Sequence, residues 1–595
     1  MTSETKNAHL CETPRSRGLA RICEREGSAT TKPDYRRHRG PLRAPRPMPR
    51  PLDSGPMEGG RVQPWRPGVT LPGRAGPRAE AGANALTRWA PLATIVVAAG
   101  VLRFATLDLQ SFWFDEAVTV IDTLKPGLLQ TLESVSLMEA TPPLYFALAW
   151  LWSQAFGLGE AGLRSLSALA GTLTVLVAYF AAARLLRPRP ALCIAALVAV
   201  HPLFVWYSQE ARPYALVVLF GALSFLFFVQ ALQDGSRRAL ALWALSCGLA
   251  LATHYFAFFL VGIEAAWLIA VAVRRSGPSA PSLRPTLLAS GAVAAVAAVL
   301  LPLALYQSER AGVAWVGDLP GDYRLEQLGQ RFLVGTSDPL GEHWLGGLVF
   351  LATLAVSGFV LYRIGRRALR AAKGDRSPGP LVVRPRIEAL RTLMRERESV
   401  RIGLIVGGGA LALPAFAALA GTDYFYYRYL LVAWIPLAIG IAGMVAGRRR
   451  LAVALACVAI GGSLAIDLAG LIHAPLQRDD WRAVAAELGP VERPRAVVVA
   501  PAYAREPLFY YGQPLAGLPP EGLRVSEIVL VGGLPVLPQE PPAGFRRVEQ
   551  RNHPVLRLIR LRSDAPRRVS VRSLSDAFGL EPESVRLQLP ASARP

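Results

Sequence analysis

The sequence predicts an all-α polytopic membrane protein: a bundle of about eleven transmembrane helices followed by a small extracytoplasmic α/β domain. Three observations carry that prediction. Of 595 residues, 52% are apolar and only 18% charged, too little charge to cover a soluble protein of this length. Apolar stretches of roughly 17 to 25 residues, each long enough to cross a bilayer as a helix, recur from Trp89 to His473. Beyond about Pro475 that pattern gives way to short alternating runs.

Residues 1–85, rich in Arg, Pro, Gly and Ser and without apolar periodicity, read as a disordered basic tail, with Met48 and Met57 as alternative starts. The membrane domain covers 86–473. Its candidate spans are 89–107, 162–186, 190–207, 213–233, 239–254, 256–273, 285–306, 344–365, 402–421, 427–447 and 451–473. The apolar stretch 143–156 is decided by charge. If it does not cross, Arg187/Arg189, Arg237/Arg238, Arg274/Arg275, the loop 366–401 and Arg448–Arg450 all share the side of the basic tail, as the positive-inside rule requires. If it crosses, all five fall opposite. At about 21 Å it is also short for a ~30 Å hydrocarbon core. It is therefore assigned to a juxtamembrane helix within the first outer loop, 108–161, which holds seven acids and one lysine. The run RIEALRTLMRERE in the basic loop reads as a surface helix near anionic lipid. An odd number of spans puts the region after 473 outside. There 474–562 reads as an α/β domain, with a helix from Asp480 and strands at 496–501, 527–532 and 555–562; 563–595 reads as a polar tail.

The net charge of +22 does not indicate nucleic acid, because the basic residues lie in short loops between apolar segments. None of the five cysteines falls in a segment placed outside, so no disulfide framework is expected. There is no Walker loop, dinucleotide-binding glycine pattern or clustered Cys/His site, and no internal repeat of the kind many transporters show.

Four short outer segments hold residues suited to chemistry. Ser111–Glu116 sets adjacent carboxylates, Asp115 and Glu116, among aromatic rings at a membrane surface. They read either as solvated acids beside an aromatic belt, or as a general base with ring faces for a sugar. In Thr141–Tyr145 the double proline is a helix boundary, and Tyr145 fits either packing or binding. Trp206–Tyr214 is a turn too short to leave the membrane region, so Glu210 and Arg212 must pair, coordinate something or line a wet cavity. Asp423–Tyr429 places Arg428 on the side where arginine is disfavoured, a cation suited to a lipid phosphate. His254 reads first as a hydrogen-bonded structural residue, and Arg164 as a headgroup anchor or a site cation.

The ordered set FWFDEA, PPLYFALAWLWSQAFG, LRSLSALAGTLTVLVAYFAAARLL, WYSQEARPYAL, HYFAFFL and a late RYLL resembles the membrane glycosyltransferases of the GT-C fold over about 89–440. It is most similar to glycosyltransferase family 39, the protein O-mannosyltransferases, and to the lipid A aminoarabinose transferases. The resemblance implies Asp115 as the base and places the family's second polar cluster on Glu210 and Arg212. Two departures are visible: no sugar-binding repeat domain of the eukaryotic kind, and Ala140-Thr141 where some relatives have a lysine before the prolines. The expectation is a bacterial inner-membrane enzyme with a cytoplasmic N-terminus. It would transfer a hexose or pentose, with inversion, from a polyprenyl-phosphate donor to a lipid, glycan or protein acceptor on the extracytoplasmic face. Asp115 and Glu116 are the catalytic candidates; Tyr145, Arg164, Glu210, Arg212, His254 and Arg428 are the substrate-binding candidates. No cofactor is assigned, and a divalent metal requirement stays open. The alternatives are a transporter or flippase of lipid-linked saccharide, and a structural scaffold, which leaves the Glu210/Arg212 turn unexplained.

Overall fold

The computed structural model describes residues 81–275, 279–310, 316, 319–335, 398–421, 424–445, 448–473, 476–533, 540–553 and 556–590. The expected span 344–365, the basic surface helix and most of the N-terminal tail lie outside the described residues.

The first helix, α1 (Ala81–Phe104), leads into the outer loop, where α2 (Phe114–Val118) runs directly into a π-helical turn, Thr119–Thr123. Helices α3 (Leu128–Met138) and α4 (Leu144–Phe156) complete the loop. The thirteen residues of α4 give a length of about 20 Å. Then follow α5 (Glu160–Leu185), α6 (Pro188–Val200), α7 (Pro202–Ser208), α8 (Tyr214–Asp234), α9 (Arg237–Thr253), α10 (Ala257–Arg274), α11 (Leu283–Arg310) and the amphipathic α12 (Gly321–Leu333). After the undescribed stretch come α13 (Glu398–Leu419), α14 (Trp434–Val445) and α15 (Arg449–Ile472).

Among the described residues, six helices are long and apolar enough to cross a membrane, seven if the bent pair α6–α7 counts as one. The expected span 239–254 is the 17-residue α9. The expected span 427–447 folds shorter, as two 3-10 turns, Tyr427–Tyr429 and Leu431–Ala433, before the 12-residue α14. α11 and α15 keep almost all their apolar side chains uncovered, as lipid-facing helices do, whereas α5 and α8 are mostly buried inside the bundle. The chain is a multi-pass membrane protein. Close packing depends on small residues: a Cβ on Gly403 of α13 would lie 2.5 Å from the Gly440 nitrogen of α14, so these helices meet backbone to backbone.

The 53° bend between α6 and α7 has a local cause. Pro202 lacks an N–H, so the helical ladder cannot pass His201. Arg103 of α1, fully buried, takes up the stranded acceptors, donating to Val198 O at 3.0 Å, to Ala199 O at 2.7 Å and to Ser208 Oγ at 3.1 Å. α7 thereby ends at the Glu210–Arg212 turn.

The C-terminal domain opens with α16 (Trp481–Leu488), whose N-cap Asp480 accepts from Ala483 N at 3.0 Å. It continues with β1 (Arg495–Ala500), α17 (Arg505–Tyr510), β2 (Leu515–Gly517), β3 (Leu523–Gly533), β4 (Arg546–Asn552), β5 (Leu556–Val569), α18 (Val571–Phe578) and β6 (Val585–Gln588). The sheet order is β2-β6-β1-β3-β5-β4. β1 and β3 pair in parallel, Val498 opposite Leu530, and the other neighbours are antiparallel. The expected helix and three strands are all present. The segment 563–595 differs from the expected polar tail: β5 continues to Val569, and β6 is an inner strand whose Val585 and Leu587 are core residues. Its Arg and Gln side chains alternate with those apolar residues and hide the strand signal.

Candidate active site

The site lies where the first outer loop, the α7–α8 turn, the segment before α14 and the connector to the C-terminal domain converge. Four carboxylates meet four arginines there. Trp113 caps α2 in extended conformation, so Asp115 and Glu116 fall in its first turn and point to different surroundings. Glu116 is fully buried and held by Arg164: Nε donates to Oε1 at 2.7 Å and Nη2 to Oε2 at 2.5 Å, while Ala211 N donates to Oε1 at 2.8 Å. Burial alone would raise the Glu116 carboxyl; the guanidinium and these hydrogen bonds hold it below the usual carboxylate range. Arg164 also donates to Leu107 O, Gln110 O and Ser111 O. It is therefore neither a headgroup anchor nor an accessible site cation. Its role is to fold the loop around Glu116.

Of the alternatives open for Glu210 and Arg212, a pair with each other does not form. Arg212 instead makes a bidentate pair with Glu139, Nη1 to Oε1 at 2.9 Å and Nη2 to Oε2 at 2.8 Å, with Thr119 and Thr123 hydroxyls completing the cluster. Glu210, 1% exposed, pairs with Arg478 at 3.2 Å. Burial pushes the Glu210 carboxyl up to about 7, against the pull of Arg478. Proline at 213 opens α8 and turns successive side chains apart, so neighbours in sequence reach different partners.

The fourth pair is different. Asp115 Oδ2 lies 3.6 Å from Arg428 Nη1, and their side chains are 20% and 17% exposed. The Arg428 guanidinium stands 5.5 to 6.0 Å from the ring centres of Tyr214, Tyr426 and Tyr429. His254 packs behind it against Tyr214, Phe256 and Tyr429, with Nδ1 accepting from Phe256 N at 3.3 Å. Tyr145 is fully buried in the core with Phe112 and Phe146. Of the expected residues, the structure thus brings together Asp115, Arg428, Arg212 and Glu210, with His254 adjoining, and sets Glu116, Arg164 and Tyr145 beneath them. Among the described residues no group of three or more His, Cys, Asp or Glu could hold a metal ion.

Glu139, Arg478 and Arg103 were absent from the sequence-derived set. A signal existed for two of them. Glu139 stands just ahead of the double proline, and Arg478 follows the last span on the side where arginine is disfavoured.

Residues 140–306 match the protein-family model described as dolichyl-phosphate-mannose-protein mannosyltransferase. The match falls within the stretch over which the residues resemble the protein O-mannosyltransferases. Solved structures similar to the chain include ArnT from Cupriavidus metallidurans in the apo state, at 17% identity over 80% of this chain and 98% of that one, TM-score 0.41. The archaeal oligosaccharyltransferase AglB from Archaeoglobus fulgidus, in complex with an inhibitory peptide and a dolichol-phosphate, is 13% identical over 68% of this chain, TM-score 0.39; the match spans 58% of that enzyme. The S. cerevisiae protein O-mannosyltransferase Pmt1-Pmt2 complex bound to the sugar donor is 20% identical over 38% of this chain and 33% of its own, TM-score 0.27. No curated protein sequence matches the chain.

Proposed function

We propose that the protein is an inverting glycosyltransferase that takes a hexose or pentose from a polyprenyl-phosphate donor and transfers it to a lipid, glycan or protein acceptor on the extracytoplasmic face. The observation that carries this reading is the Asp115–Arg428 pair. Three of the four ion pairs are buried and bidentate or multiply bonded, and so are committed to structure. The Asp115–Arg428 contact is the longest and the most accessible. A carboxylate and a guanidinium at 3.6 Å, each partly exposed, are set to exchange each other for an acceptor hydroxyl and a phosphate.

In the reaction, Asp115 accepts the acceptor's hydroxyl proton as that oxygen attacks the anomeric carbon. The bond from the anomeric carbon to the phosphate oxygen breaks, and the phosphate keeps the electron pair. Arg428 meets the charge that develops on it. Tyr214, which is buried, orients the guanidinium together with Tyr426 and Tyr429, and the last two offer ring faces to the sugar. A lipid-linked donor suits the place, since nucleotide sugars are absent outside the cytoplasm and a prenyl chain delivers its sugar at the bilayer surface. In this reading the tail is cytoplasmic and the α/β domain extracytoplasmic.

Full-length protein in liposomes with a labelled polyprenyl-phosphate sugar tests the assignment. Covalent transfer of label to an acceptor hydroxyl, with inverted configuration, is the expected result. Label that crosses the bilayer still joined to its lipid phosphate would make the protein a flippase and overturn it.

A further inference from the structure

The C-terminal domain does more than sit beside the membrane bundle. Three consecutive residues ahead of the acidic motif are each held from the C-terminal side. Gln110 Oε1 accepts from Arg478 N at 2.9 Å. Ser111 Oγ donates to Asp479 O at 2.7 Å and accepts from Trp481 N at 3.0 Å. Phe112 N donates to Tyr511 Oη at 2.7 Å, and the Phe112 ring meets Tyr510 edge to face at 5.0 Å. Tyr511 and Arg482 in turn bind Glu160 at 2.6 and 2.7 Å, and Arg482 also donates to Asp108 O. On its other side Arg478 reaches the α7–α8 turn: its guanidinium donates to Trp206 O, Gln209 O and Glu210 Oε2 and lies 4.3 Å over the Trp206 ring.

Docking a domain needs only contacts at the rim, such as Arg482 with Glu160. A guanidinium buried to 3% exposure is expensive to place, and is stable only where its geometry is fully answered. Arg478 touches two segments that border the site through different atoms: its main-chain N–H binds Gln110, in the segment that carries Asp115, and its guanidinium binds Trp206, Gln209 and Glu210, in the segment that carries Arg212.

We propose that the extracytoplasmic domain is a positioning element of the transferase site, and that Arg478 is the positioning residue that locks the acidic segment to the α7–α8 turn. Loss of its guanidinium unties the α7–α8 turn from the connector that holds 110–112, and the acidic segment and the turn lose their fixed relation, so Asp115 loses its fixed approach to Arg428. This rests on the glycosyl-transfer reading for its kinetic consequence, but not for its structural one.

The test combines hydrogen exchange and steady-state kinetics on the full chain in detergent or liposomes. Arg478→Gln, which keeps the main-chain bond to Gln110 and loses the guanidinium, should raise exchange most in 206–212 and less in 108–118, and lower kcat about tenfold or more, with the donor KM within about twofold. Arg478→Lys, which keeps the charge, should recover part of both effects. Tyr511→Phe removes the bonds to Phe112 and Glu160 from outside the membrane, and should loosen 108–118 alone with a smaller fall in kcat. It carries the test if Arg478→Gln does not fold. Unchanged exchange in these segments, or raised exchange with unchanged kcat, overturns the proposal. If the wild-type protein transfers no sugar, the glycosyl-transfer reading fails, and the exchange arm still decides whether the lock exists.

Discussion

At the scale of single residues, the four acids and four arginines divide by accessibility, and that division separates structural from chemical effects. Arg212→Lys loses the bidentate fork to Glu139 while keeping a charge. Removing a partner from a buried pair costs about 3–5 kcal/mol, so a weakened pair should lower the melting temperature measurably and kcat little. Arg428→Lys should do the reverse: kcat falls about tenfold or more while the melting temperature holds. Turnover and melting on the same purified sample check both. Glu210 adds a pH dependence. Its carboxyl sits at about 7 in the folded chain against 4.5 ordinarily, so its contribution to stability is fully present below about 4.5 and is lost as pH rises through 7. The melting temperature of Glu210→Gln should therefore fall less than that of wild type between pH 5 and 7.5; parallel curves would contradict it. Six of these eight charged residues are legible in the sequence because each lies where charge is costly; Glu139 and Arg478 are not among the sequence candidates. The pairings are not legible, because partners stand far apart along the chain: Glu116 with Arg164, Glu139 with Arg212, Glu210 with Arg478.

At the scale of elements, the break between α6 and α7 aims the polar turn into the site. It depends on Pro202, on Arg103 capping the α6 carbonyls and on close approach at Gly171, where a Cβ would stand 1.9 Å from Ser208 Oγ. Gly171→Ala should cost about 1–3 kcal/mol through overpacking, read as a lowered melting temperature. Combining it with Ser208→Gly, which removes the clashing hydroxyl, should recover part of that loss; no recovery would place the strain elsewhere. Long apolar helices were readable from composition because each carries its signal within itself. The expected span 427–447 is longer than α14, since hydropathy does not register where a helix unwinds into 3-10 turns. β6 was read as tail because its signal depends on neighbouring strands distant in the chain.

At the scale of the whole molecule, the account requires the first outer loop, the α7–α8 turn, the Tyr-rich segment and the C-terminal domain to share one side of the membrane. A reporter fused after Gly235 should read cytoplasm, and one fused after Gln477 should read outside; the opposite result for Gly235 would mean that 143–156 crosses the bilayer. Sharing a side matters only if the segments serve one reaction, and the claim narrows to Asp115 as its proton acceptor. The most direct measurement is turnover of full-length Asp115→Asn in liposomes with a polyprenyl-phosphate sugar, beside its melting temperature and donor binding. The account predicts a fall of about 10²-fold or more, with melting and donor binding held. Turnover near that of wild type would contradict it.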